Sequence, residues 1–244
     1  MTRLYIVEGL PCSGKSSTAR FLCDTLARLQ RRVHCIDEGT LQHPADYEFH
    51  ALINGRVMPL SQFPAEELPA LLPWKIYDGL PWAAEAPLML DKWQQFANTA
   101  AQDELYIFNC VLLQNPMCET MMRFGMPEEE SAAHIRRIAE IIAPLQPVVI
   151  YLHNDDIAAS VQRTAAERPG WLEAVIDYHC GGAYGQSIGA AGFDGYIACL
   201  KERQLREERI LAALPLRTIT LDNPQRDWHR AQARLDAALL QLAP

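Results

Sequence analysis

Gly9-Leu10-Pro11-Cys12-Ser13-Gly14-Lys15-Ser16 follows directly on the apolar run Leu4-Tyr5-Ile6-Val7 and spells G-x-x-x-x-G-K-[ST]. Few octapeptides constrain a fold as tightly, because the pattern works only as the turn between a buried strand and a helix. Gly9 and Gly14 let the backbone bend sharply and approach a ligand with no Cβ in the way, so that successive N–H groups converge on an anion. The helix opening at about Lys15 adds its positive end, and Ser17 falls in its first turn. Lys15 has the reach for β- and γ-phosphates, and the Ser16 hydroxyl is the motif's magnesium ligand. The sequence therefore predicts a triphosphate site built on Gly9, Cys12, Ser13, Gly14, Lys15, Ser16 and Ser17.

The rest of the chain alternates in the same way. Short runs at Val33 to Ile36, Leu105 to Phe108, Val148 to Leu152 and Leu216 to Leu221 read as strands, that at Leu105 to Phe108 as a buried one. Between them, helical spacing runs from Ser17 to Leu29, Leu88 to Ala101, Glu128 to Ala143, Asp155 or Asp156 to Arg168, Trp171 to His179, Tyr196 to Leu214 and Trp228 to Leu242. His43 to Pro87, rich in proline, reads as loops and short helices, Cys110 to Met126 as a loop with a short helix, and Gly181 to Gly195 as a turn region. Strands alternating with helices predict an α/β fold with a parallel sheet covered on both faces.

Composition narrows the partners. A chain of 244 residues, 49% hydrophobic and 21% charged, is long enough for one well-packed domain, expected to span 1–244. The net charge of -8, with no basic run beyond Arg31-Arg32 and Arg136-Arg137, argues against a nucleic-acid partner. Seven cysteines with no C-x-x-C pair read as reduced thiols in a cytoplasmic protein. No signal peptide is expected before the first strand, and no apolar run reaches membrane-spanning length.

With the phosphate loop, carboxylates ending the second strand at Asp37-Glu38, and Arg163 and Arg168 on a helix after the fourth strand, the chain resembles the P-loop kinases. That superfamily includes nucleoside and nucleotide kinases and small-molecule kinases acting on shikimate, gluconate or chloramphenicol. The resemblance implies a three-layer P-loop fold with five parallel strands in the order 2-3-1-4-5. It implies an acid after the second strand that orients or deprotonates the acceptor hydroxyl, assigned to Asp37 with Glu38 as a second contact. It also implies an acceptor-side insert at 40–100, where Trp74, Tyr77, Trp82 and Trp93 lie, and a lid at 155–195 closing Arg163 and Arg168 over the phosphates.

One departure stands out. Relatives end the third strand in an acid that holds the magnesium water shell, whereas this chain has neutral Asn109. Either its carbonyl orients a water, with metal affinity leaning on Asp37, Glu38 or Glu8, or Asn109 joins Gln114 and Asn115 in binding the acceptor; the second is preferred. The turn Asp222-Asn223-Pro224 sits where relatives wrap the adenine. The resulting expectation is an ATP- and Mg2+-dependent phosphotransferase acting on a small hydroxylated metabolite, nucleoside or antibiotic, as monomer or homodimer. The rival is a nucleotide-dependent switch or regulatory ATPase, but neither N-K-x-D nor D-x-x-G of the GTPase switches occurs.

Overall fold

The computed structural model describes residues 2–28 and 32–242. Strand β1 (Leu4–Gly9) leads through the glycine loop into helix α1 (Lys15–Ala27), and β2 (Arg32–Ile36) follows. The expected end of α1 at Leu29 lies outside the described residues. A hairpin of β3 (His50–Ile53) and β4 (Arg56–Pro59), the short α2 (Leu68–Leu71) and the long α3 (Trp82–Thr99) separate β2 from β5 (Glu104–Asn109). Next come α4 (Gln114–Met117), a π-helical turn over Cys118–Arg123, α5 (Glu128–Ile142) and β6 (Val148–His153). Helices α6 (Ile157–Glu167), α7 (Trp171–Gly181), α8 (Ala183–Ser187) and α9 (Gly192–Ala213) precede β7 (Arg217–Asp222) and α10 (Trp228–Leu242).

The five long strands form one sheet in the order β2-β5-β1-β6-β7, every neighbouring pair parallel. Counted along the chain without the hairpin, this is the order 2-3-1-4-5. Period-two alternation assigns the two faces. Tyr5, Val7, Leu105, Ile107, Val148 and Ile150 pack with Leu22 and Leu26 of α1 and Leu235 of α10. Leu4, Ile6, Phe108, Val149 and Tyr151 pack on the opposite side with Trp93 and Phe96 of α3, Ile135, Ile138 and Ile142 of α5, and Cys199, Ile210 and Leu211 of α9. Fully burying an Ile, Leu or Phe side chain contributes about 1.5 to 3 kcal/mol. This three-layer arrangement puts the C-terminal ends of β1, β2 and β5 on one rim, where open α/β sheets bind ligands.

Four local expectations are corrected. The His43 to Pro87 stretch holds the β3–β4 hairpin, turned by Asn54 and Gly55 at φ 50° and 74°. Asn-Gly between Ala-Leu-Ile and Arg-Val-Met is a strong hairpin signal, and the local proline content masks it. Helix α3 begins at Trp82 and continues through Pro87 rather than starting after it. The glycine-rich stretch after His179 is helical as α8, and α9 starts at Gly192 rather than Tyr196. Finally, Cys23 of α1 and Cys35 of β2 are disulfide-bonded at a Cα–Cα separation of 6.1 Å. The packing of α1 against β2 brings these two thiols together, and an odd cysteine count is compatible with one bridge and five free thiols. Among the described residues no helix is long and apolar enough to cross a membrane.

Candidate active site

The loop after β1 folds as its glycines dictate. A Cβ on Gly9, at φ 143°, would lie 2.8 Å from the Leu152 carbonyl oxygen, so β6 approaches too closely for any side chain. Gly14 opens α1 at φ 99°, and Cys12 also takes a positive φ of 66°. The Lys15 ammonium donates to the Leu10 carbonyl at 3.1 Å, which holds it against the loop, and it is 8% exposed. Ser13 is buried with its hydroxyl unpartnered.

A cavity of about 650 Å³ opens beside this loop. The loop lines it with Cys12, Gly14, Lys15, Ser16 and Ser17, and α6 and its C-cap with Thr164 and Arg168. Glu38, Glu48, Tyr77, Asp78, Gln114, Asn115, Cys118 and Glu119 line it too, with Trp171, Tyr178 and His179 of α7 and Arg203 of α9. Of the residues singled out in the sequence, the structure brings together the loop, Glu38, Gln114, Asn115 and Arg168. Gln114 Nε2 donates to the Glu38 carboxylate, which sets the rotamer of that acid at the cavity wall.

Three residues lie elsewhere. Asp37 leaves β2 into a tight turn, its carbonyl accepting from the Thr40 N–H and hydroxyl, and its side chain borders a separate small cleft with Arg20 and Cys35. Arg163 is exposed on α6 and does not line the cavity. Arg168 reaches it because α6 ends at Glu167, leaving Arg168 at φ -132° before Pro169 and Gly170. Trp74 is 54% exposed on the insertion surface, also outside the cavity.

Asn109 is 2% exposed, and its Nδ2 donates to Ser16 Oγ at 3.2 Å while Oδ1 stays unpartnered. It therefore stands beside the loop serine rather than with Gln114 and Asn115 on the cavity wall. Behind it, Glu8 is fully buried, one carboxylate oxygen accepting from the N–H groups of Leu112 and Leu113 at 2.6 and 3.0 Å. Burial pushes its pKa from the usual 4.5 up to about 7, against the lowering by those hydrogen bonds. Between those values the folded chain keeps a proton that the unfolded chain has lost, so stability falls as pH rises from 4.5 to about 7. Glu8→Gln keeps the accepting oxygen and removes that loss. Urea denaturation should show the variant more stable than wild type by up to roughly 3 kcal/mol at pH 8 and equal to it near pH 4.5.

The acidic part of the cavity wall and the buried groups packed behind it include carboxylates that carry no sequence motif. Asp46 is buried, its pKa raised by that burial against hydrogen bonds from Tyr77 and Asn115. Burial likewise pushes Asp78 up, but its 2.7 Å contacts with Lys75 and the Tyr178 hydroxyl outweigh this and hold it low. The second contact ties α7 to the insertion. Tyr77 and Asp78 both adopt positive φ, 60° and 62°. That conformation is costly for side chains of this kind and is retained where the surroundings impose it, as ligand sites commonly do. Glu119 is buried against Arg123 at 2.6 Å, and Arg123 also contacts Glu85 at 3.4 Å. Burial and the neighbouring Glu119 push Glu85 up to about 9, so it stays protonated at neutral pH.

Arg203 sits in a run of alternating charge that reads as solvated surface, yet it is 1% exposed. The available signal was the stripe Tyr196, Leu200, Arg203, Glu207 and Leu211 at helical three- and four-residue spacing, which places the Arg–Glu pair on the apolar face. The turn after β7 is tied to the turn after β6. Asn223 Oδ1 accepts from the Asp155 N–H, and Gln225, which lines the cavity, donates to Asn154.

No protein-family model matches the chain, and no curated protein matches it in sequence. Solved structures do. Thymidylate kinase from Ehrlichia chaffeensis aligns over 98% of this chain and 98% of its own at 11% identity, with a TM-score of 0.51. Deoxyadenosine kinase from M. mycoides aligns over 98% and 100% at 11% identity and TM-score 0.48. The YorR protein from Bacillus subtilis, solved with phosphorylated GDP, aligns over 97% and 94% at 15% identity and TM-score 0.45. The parallel sheet in the order 2-3-1-4-5, the glycine loop between β1 and α1, and the end-to-end match to thymidylate kinase agree: the chain has a three-layer P-loop fold, the fold of that structure.

Proposed function

We propose that the protein is an ATP-dependent phosphotransferase that moves the γ-phosphoryl group to a hydroxyl of a small molecule. The observation that carries this reading is one cavity lined both by the phosphate loop with Lys15 and by a carboxylate, Glu38, that accepts from Gln114. A nucleotide switch does not require acidic side chains beside its phosphate loop in one cavity of about 650 Å³.

In this reading the loop N–H groups and Lys15 bind the β- and γ-phosphates, and Lys15 neutralises charge that spreads over the γ-oxygens in the transition state. Glu38 accepts the acceptor's proton as its oxygen bonds to phosphorus, while the leaving oxygen departs on ADP. Arg168, freed from the end of α6, covers the phosphates, and segment 155–195 acts as the lid over insert 40–100. Closure excludes water, which would otherwise take the phosphoryl group. Magnesium fits the site: Ser16 supplies a hydroxyl oxygen and Asn109 an unpartnered buried carbonyl beside it. The ion would contribute charge neutralisation at the triphosphate.

Incubation with ATP, Mg2+ and a library of hydroxylated metabolites, read by phosphorus NMR, should yield ADP and a phosphomonoester in equal amounts. Hydrolysis to ADP and free phosphate with every compound would end the phosphotransferase reading. Asn109→Asp should tighten the apparent magnesium dependence several-fold with little change in acceptor KM. A raised KM with unaltered magnesium dependence would instead place Asn109 on the acceptor.

A further inference from the structure

Beyond the hydroxyl itself, the acidic part of the cavity wall has a chemical character of its own. Glu38, Glu48, Asp78 and Glu119 line it, and two further polar side chains face it with an atom unpartnered. These are Arg203 Nη2 and His179 Nδ1, in residues 1% and 6% exposed. A buried donor or acceptor left without a partner costs about 1 to 3 kcal/mol, a cost that a ligand able to pair with these two atoms would relieve. The charges around them are largely matched already. Lys75 is paired with Asp78, Arg123 with Glu119, and Arg203 with Glu207 at 2.6 Å. Lys92 lies over the Tyr47 ring and does not line the cavity. Glu48 makes no ion pair among the described residues, and Asp46 stands directly behind it, accepting from its N–H.

Resting on the phosphotransferase reading, we propose that the acceptor is a small hydroxylated amine, cationic at neutral pH and carrying no phosphate of its own. Its reacting hydroxyl meets Glu38, its ammonium meets Glu48, and another of its oxygens accepts from Arg203 Nη2. His179, which burial holds neutral, its pKa lowered to about 3, offers a hydrogen bond without charge. Burial, Asp46 and Glu38 push Glu48 up to about 7, so the chamber without ligand favours a proton where the ammonium would sit. A phosphomonoester brings two negative charges to the same wall, and no cation on that wall lacks a counter-charge to receive them. Free positive charge in the cavity is confined to Lys15 of the phosphate loop and Arg168 at the end of α6.

The test uses the full chain with a panel of matched probes: amino sugars and aminocyclitols, their deaminated counterparts, nucleosides, and nucleoside 5′-monophosphates. ATP binding is measured first by calorimetry, and its absence removes the reading on which the proposal rests. With ATP bound, amine-bearing probes should be phosphorylated with kcat/KM about tenfold or more above their neutral counterparts, as expected for one half-buried charged contact. Nucleoside monophosphates should not react. Glu48→Gln should bring the amine-to-neutral ratio close to one with ATP affinity unchanged, and Glu48→Asp, which retains the charge, should restore most of it. Preferred transfer to neutral hydroxyls or to monophosphates would overturn the amine assignment while leaving the phosphotransferase intact. So would failure of every amine probe to raise the melting temperature of protein bound to a non-hydrolysable ATP analogue.

Discussion

Lys15→Ala should abolish phosphate transfer while the protein still folds. The Lys15 ammonium touches one protein atom of note, the Leu10 carbonyl, which also accepts from the Ser13 N–H and therefore keeps a partner in the variant. The side chain is buried against the loop, but its stem removes little apolar surface, and no ion pair is broken among the described residues. Far-UV circular dichroism and the melting temperature should match wild type closely. ATP binding should weaken by the worth of one charge-assisted hydrogen bond, about 1.5 to 3 kcal/mol, or roughly ten- to a hundredfold in Kd. The transition state suffers more, because the lysine is aimed where charge develops and a preorganised donor there costs no reorganisation. Turnover should fall by a factor on the order of a thousand or more. Retained transfer would remove the phosphate loop from the chemistry and the proposed function with it.

The contrast between what was legible in the sequence and what was not has a physical basis. The phosphate loop is contiguous, and each of its residue types answers a local demand, such as the approach of β6 on Gly9 that no side chain permits. The central strands β1, β5 and β6 were legible for a similar reason, since strands buried on both faces write themselves as apolar runs. The acidic wall proposed to hold the acceptor is different in kind. Glu48 comes from the approach to a hairpin, Asp78 from a strained turn, Glu119 from a π-helical turn, His179 from α7 and Arg203 from α9. No local pattern marks residues that meet only after the sheet has formed. Trp74 shows the converse: an aromatic in the expected segment drew attention by type, but the proline-rich turns around it leave its ring on the surface. Arg163 and Arg168 illustrate the geometric side. Five residues apart on a helix they diverge by about 140°, so one reaches the cavity only because the helix stops before it.

The two acids at the end of β2 should separate sharply on mutation. Successive residues leaving a strand point to opposite sides, so Asp37 and Glu38 cannot both face one cavity. Asp37 is committed to the turn with Thr40 and borders the cleft between α1 and β2, whereas Glu38 lies on the main cavity wall in contact with Gln114. The order expected from the sequence, Asp37 as base and Glu38 as helper, is therefore reversed in the proposed mechanism. A hydroxyl acceptor is a weak nucleophile, and losing the carboxylate that takes its proton costs about a hundred- to ten-thousandfold. Glu38→Gln should show that loss in kcat with ATP Kd nearly constant, since in the proposed mechanism the side chain meets the acceptor and not the nucleotide. The amide still hydrogen-bonds a hydroxyl, so acceptor KM should change less than kcat, which distinguishes proton transfer from binding. Asp37→Asn should stay within about threefold of wild type, the range of an exposed residue removed from the chemistry. Arg168→Ala should weaken transfer and ATP retention together and raise the share of ATP lost to hydrolysis, because its proposed task is to cover the phosphates rather than to move a proton. If Asp37→Asn is the crippled variant and Glu38→Gln is nearly silent, the acceptor hydroxyl does not enter the chamber at Glu38. The acid-lined wall would then lose its connection to the chemistry, though the phosphate loop would keep its assignment.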